Sequence, residues 1–230
     1  MTRRRLALLS CLICTWCSPL SAIAEEAERT EAAKVAAVAD SEGVDLAAQG
    51  QRIETFHKVL VSAMQTADRQ SRETLLRSPV LELFDVAGIA RISIGRTWRQ
   101  LEQTDQQAFT RLLGELIVAT YADRFATYNN QRFVIDEVKP VRSGAVVVSR
   151  LVRANDDDVT LDYYLRRGQV FNVVADGVSD LSLRRADYNS IVKQEGFDGL
   201  MAHLHRQLAT ARGVVIDPAG SPADASAENL

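Results

Sequence analysis

Past residue 24 this chain has no cysteine: its three, Cys11, Cys14 and Cys17, all lie in the opening segment. Everything downstream is therefore excluded from disulfide stapling and thiol chemistry. Histidine is nearly as scarce. Of the three, His203 and His205 are two apart and would face different ways on a helix, where a metal pair needs i, i+3 or i+4. No metal site is expected. Asp156-Asp157-Asp158 lacks the glycine and distal glutamate of an EF-hand loop and reads as a solvated turn. Missing too are a Gly-x-Ser-x-Gly elbow, a phosphate-cradling glycine loop and a cysteine nucleophile. No cofactor is implied.

Positive charge is also short, with 27 Lys and Arg against 30 Asp and Glu. The imbalance sits at the ends. Residues 25–50 carry seven acids against Arg29 and Lys34, and residues 214–230 carry Asp217, Asp224 and Glu228 with no base. The body, 51–213, is close to neutral and has no basic stripe of the kind a nucleic-acid binder needs. Both ends are rich in Ala, Ser and acids and poor in aromatics, so they read as a linker (25–50) and a disordered tail (214–230). Before them, Arg3-Arg4-Arg5 precedes an apolar run over 6–19, and Ala22-Ile23-Ala24 offers small residues for a cut before Glu25. Residues 1–24 thus read as a cleaved secretory signal peptide, too short to stay as a membrane span; an uncleaved anchor is the alternative. Leu8-Leu9-Ser10-Cys11 resembles a lipoprotein box, but only five residues separate Arg5 from Cys11, too few for the usual apolar region.

What is present is a meander. Four runs, 133–138, 145–152, 159–165 and 170–175, are rich in β-branched and aromatic residues and joined by short turns. Links that short join only antiparallel neighbours. The third run alternates: Val159, Leu161, Tyr163 and Leu165 point one way, Thr160, Asp162, Tyr164 and Arg166 the other. Helical periodicity flanks it. Ile53, Phe56, Leu60 and Met64 mark a helix from Gln51, and a second spans 69–84 with Pro79 expected to break or restart it. Asp85 caps 86–94, which Gly95 ends. Thr104 or Asp105 opens the longest helix, to about Tyr128, whose broad apolar face is the best candidate to lie across the sheet. Two helices follow, 181–195 and 197–212, parted by Gly196. The expectation is an α+β domain over 51–213: a four-stranded curved antiparallel meander covered on one face by helices, with N-terminal and C-terminal helices.

Gly95-Arg96-Thr97-Trp98-Arg99, followed by Phe109, Leu112 and Tyr121, resembles the G-x-x-W…F…Y signature of the toluene-tolerance family, the MlaC-like periplasmic lipid-binding proteins. Asp176-Gly177-Val178-Ser179, then Arg185, Tyr188 and Gly196-Phe197-Asp198-Gly199-Leu200, resembles that family's C-terminal run. The wording over 177–188 is most similar to the hopanoid-associated HpnM branch. Two positions depart from the pattern: Val170-Phe171 lacks the tryptophan common in the last strand, and Asn172 stands where an aspartate is expected.

The resemblance covers about residues 51–210 and implies a periplasmic carrier that buries lipid tails, phospholipid or hopanoid, between sheet and helices. Burying a CH₂ is worth about 0.8 kcal/mol, so a long alkyl tail supplies on the order of 10 kcal/mol before costs. The wall residues it implies are Val146, Val148, Val159, Leu161 and Tyr163 from the sheet and Leu113, Leu116, Ile117 and Tyr121 from the long helix. Ile89, Ile92 and Trp98 would form a third wall. Aromatics are 6% of the chain, which fits a pocket lined by aliphatic groups. Implied partners are an inner-membrane transporter and a membrane-anchored lipid-transfer complex, with the carrier a monomer. Two other readings of the residues stay open. One is a small isomerase or lyase using Asp162 in the same cavity; the other is a lipid-free periplasmic scaffold whose interior is simply packed.

Overall fold

The computed structural model describes residues 45–214 apart from Asn155. The expected signal peptide, all three cysteines, most of the acidic linker and nearly all of the C-terminal tail lie outside the described residues. Within them the order is α1 (Leu46–Met64), α2 (Arg69–Leu83), α3 (Val86–Ile94), a short 3₁₀ turn (Thr97–Gln100) and α4 (Gln103–Arg124). Then come β1 (Arg132–Val141), β2 (Gly144–Val152), β3 (Val159–Arg166), β4 (Gln169–Ala175), β5 (Val178–Ser179) and α5 (Asp180–Ala211). The strands form one sheet in the order β1-β2-β3-β4-β5, antiparallel throughout. The fold is α+β.

Several boundaries differ from the sequence reading, each for a local reason. The meander gains a fifth strand, a two-residue edge pairing Val174 with Ser179 and Ala175 with Val178. It is too short to show a period. Helix α1 begins at Leu46 rather than Gln51, because Asp45 caps it by accepting a hydrogen bond from the Ala48 N–H at 2.9 Å. Gly50 in its first turns hides that start. Helix α2 runs straight through Pro79. The carbonyl a proline leaves without a donor belongs to Leu75, a residue on the exposed side of the helix. Helix α4 starts one residue before Thr104 and stops at Arg124, short of Tyr128. The two expected C-terminal helices run on as one element with a break at Gly196 (φ 74°, ψ −174°).

The helices are not equally close to the sheet. Helix α1 lies along β1 and β2, while α5, α3 and the end of α2 approach β4. The joint between α2 and α3 is stitched to the sheet: the Asp85 N–H donates to the Val170 carbonyl at 2.9 Å, and Asp85 caps α3 through Gly88 N at 2.8 Å. Helix α4, expected to lie on the sheet, packs instead against α2, α3 and α5 and stands off from the strands. Buried Arg72 fixes its C-terminal end, donating to Ala122 O at 2.9 Å and to Thr66 O and Ala67 O in the α1–α2 link. An interval is left between α4 and the sheet.

Candidate functional site

That interval is a cavity of about 360 Å³. Ile117, Tyr121 and Phe125 of α4 form one side, and Leu151, Val159, Leu161, Tyr163, Val173 and Ala175 of the sheet face them. Phe84 and Ile89 contribute from the α2–α3 joint. The alternation of β3 puts these groups there. Leu161, Tyr163 and Leu165 are buried on the helix side, paired across β2 with Ser149, Val147 and Ala145. A cavity of about 150 Å³ lined by aliphatic and aromatic groups stays dry and takes benzene. By that measure the present one holds roughly a dozen carbons, about one alkyl tail.

The lining is more aromatic than the composition suggested. Tyr121 makes edge contacts with Phe56 (5.6 Å) and Phe84 (5.5 Å) and stacks on Phe125 (5.7 Å). Five aromatic residues, Phe84, Tyr121, Phe125, Tyr163 and Phe171, line the cavity, and a second cluster of Phe109, Tyr188 and Phe197 packs away from it. Burial raises the pKa of both cavity phenols, Tyr121 and Tyr163, so they stay neutral donors. Both residues line the cavity.

At one side the apolar wall gives way to charge. Asp180, Leu183 and Arg184 of α5 and Thr120 and Arg124 of α4 border the cavity and also line an open groove of about 730 Å³ beside it. Arg184, only 14% exposed, donates from Nε to Asp180 Oδ2 at 2.8 Å and from Nη1 to Tyr188 Oη at 3.1 Å. Burial opposes its charge, but Asp180 and Tyr188 outweigh that and push its pKa up. It stays a cation. Val178 (51% exposed) and Leu183 (58%) leave apolar surface on the same rim.

Of the twelve residues the sequence put forward, Ile89, Ile117, Tyr121, Val159, Leu161 and Tyr163 come together around the cavity. Leu116 faces the groove, and Leu113 is in the packed core. Trp98 packs against that core away from the cavity, and Ile92 is half-buried outside it. Val146 and Val148 require a correction. They pair with Tyr164 and Asp162 on the opposite face of the sheet, and it is Val147 and Leu151 that share a face with Tyr163 and Val159. Four apolar residues in a row, 145–148, carry no period by which the sequence could choose the inward face, and the polar Ser149 that follows them is fully buried, its hydroxyl donating to Leu161 O at 2.7 Å. The same register puts Asp162, the isomerase candidate, outside the cavity lining. The acidic turn after β2 is engaged in pairing: Asp158 meets Arg150 at 2.8 Å and Asp156 meets Arg153 at 3.6 Å.

The family model described as MlaC protein matches residues 51–206. The chain belongs to the MlaC family. Over 142 residues it is 23% identical to the intermembrane phospholipid transport system binding protein MlaC of Haemophilus influenzae. That match covers 58% of this chain and 66% of the relative, so the chain spans just under two thirds of that protein's length. Among solved structures, the phospholipid-binding protein from Ralstonia solanacearum, in complex with a phospholipid, matches with a TM-score of 0.62 at 20% identity. It covers 71% of this chain and 98% of the other, and shows the shared fold.

Within this MlaC-family chain, Asn172 has a structural role at the rim. Its Oδ1 accepts from Ser179 Oγ and from the Leu181 N–H, both at 3.1 Å, which anchors the start of α5. Sequence reasoning passed over Phe125, Leu151, Val173 and Arg184 as well. Leu151 and Val173 were recoverable from strand pairing with Val159 and Tyr163, whereas nothing in the sequence marks Arg184.

Proposed function

We propose that this protein is a periplasmic lipid carrier that holds an alkyl tail in the cavity between α4 and the sheet and passes lipid between inner- and outer-membrane systems. One observation carries the reading: a largely apolar cavity opens at one end onto charged residues, which matches the two ends of an amphiphile. A dozen buried methylenes are worth about 10 kcal/mol relative to water, enough to keep a lipid in the cavity while it crosses the aqueous space, whereas a tail in a bilayer is already out of water and its uptake calls for a partner. The phospholipid in the Ralstonia protein and the phospholipid transport named for the Haemophilus relative support phospholipid as cargo. Partners of the kind implied are an inner-membrane transporter and a membrane-anchored complex. The exposed Val178 and Leu183 give the rim an apolar contact for the moment of transfer.

In its present form the cavity has room for one tail. A two-tailed lipid requires α4 or the first limb of α5 to move outward, and the stand-off of α4 from the strands makes that the softer side. The test is native mass spectrometry of the protein purified from the periplasm of its own cells. A co-purified lipid at one per chain is expected, and its mass distinguishes phospholipid from hopanoid. A compact chain that never carries lipid, even after exposure to membranes, would leave the scaffold reading in its place.

A further inference from the structure

The groove beside the cavity is built from the C-terminal turns of α4 and from both limbs of α5. Its charges are unevenly committed. Asp180 is held by Arg184, and Asp187 faces His203 Nε2 at 3.7 Å. Among the described residues, Arg124 and Arg206 make no ion pair, and of the groove's acids only Asp123 is likewise free. Arg184 itself uses Nε and Nη1, and its Nη2 has no hydrogen-bond partner among the described residues. An arginine that is largely buried and still presents an unused edge, with two uncommitted arginines lining the same groove, is a poor arrangement for an empty surface. It suits a bound anion.

Resting on the lipid-carrier reading, we propose that this groove seats a phosphate-bearing head group, with Arg184 at the mouth and Arg124 and Arg206 along the groove as its ligands. The guanidinium fork matches phosphate oxygens in pairs, and such charge-assisted bonds are stronger than neutral ones. A neutral head group, such as a polycyclic or glyceride alcohol, would gain little from these residues. The groove therefore selects phospholipid over an uncharged lipid with the same tails. The five residues common to cavity and groove set the geometry, placing the head next to the point where the tail leaves the apolar wall.

The experiment compares uptake of dipalmitoyl phosphatidylethanolamine and dipalmitoylglycerol, which share their tails, by the delipidated protein, each lipid presented in phosphate-free dodecyl maltoside micelles. The wild type should prefer the phospholipid about tenfold. The exposed Arg124→Ala, Arg206→Ala double variant should lose that preference, its phospholipid uptake falling to the level of its own diacylglycerol uptake. Equal uptake of both lipids by the wild type, or a preference that survives the double variant, overturns the head-group site while leaving the carrier standing. Uptake of neither lipid overturns both. Inorganic phosphate titrated alone should not compete at millimolar concentration. Competition that depends on the same arginines would make this a free-anion site and overturn the lipid assignment.

Discussion

His57 is 4% exposed, lies flat on Phe133 with centroids 4.2 Å apart, and leaves Nε2 without a hydrogen-bond partner among the described residues. Burial holds its pKa down at about 4, with Glu54 pulling weakly the other way. Between pH 6.5 and 4 the unfolded chain binds a proton here that the folded chain does not. The stability this residue gives is therefore complete above pH 6.5 and is lost as pH falls toward 4, by up to about 3 kcal/mol. Since Nε2 bonds to nothing, His57→Phe should cost little at pH 7 and keep the stack on Phe133. Urea denaturation at half-unit steps from pH 7.5 to 4.5 should give a flatter acid limb for the variant. Parallel curves would show that another group carries the acid sensitivity.

At the scale of elements, the break in α5 decides where the groove is. Gly196 has φ 74° and ψ −174°, a region that essentially only glycine occupies. The break lets both limbs grip one residue: Phe109 meets Tyr188 of the first limb at 6.2 Å and Phe197 of the second at 6.0 Å, both edge-on. A Cβ at position 196 would touch nothing within 4 Å, so the penalty of Gly196→Ala is backbone strain alone. That penalty should be about 1–3 kcal/mol in chemical denaturation. An unchanged midpoint would mean the limbs can repack as a straight helix. Gly196 was legible in the sequence as a helix stop, and the meander, the Asp85 cap and the inward face of β3 were legible too, because each is a local pattern. The face of β2 was not. Its 145–148 run has no period, and the decision falls to cross-strand pairing with Tyr163. The stand-off of α4 was invisible for the same kind of reason. A broad apolar face says that a helix is covered on many sides, and here α2, α3 and α5 do most of the covering.

For the whole molecule, the question is whether the space between α4 and the sheet is a site or a packing defect. The two agree that filling it stabilises the empty protein and differ on what filling does to lipid uptake. Ala175 lies beside Leu161 on the inward face and lines the cavity, so Ala175→Leu adds methyl groups to empty space without a polar cost. If the space is only a void, filling it should stabilise the protein and change nothing else. If it is where a tail resides, the same variant should raise the stability of the delipidated protein by about 1 kcal/mol while cutting lipid uptake several-fold. Val148→Ala is the control, since Val148 pairs with Asp162 on the far face and should leave uptake as it was. Stability and uptake are to be read on the same delipidated samples, because bound lipid stabilises the fold by mass action and would hide the gain. A filled variant that loads lipid like the wild type would place the tail elsewhere in the fold.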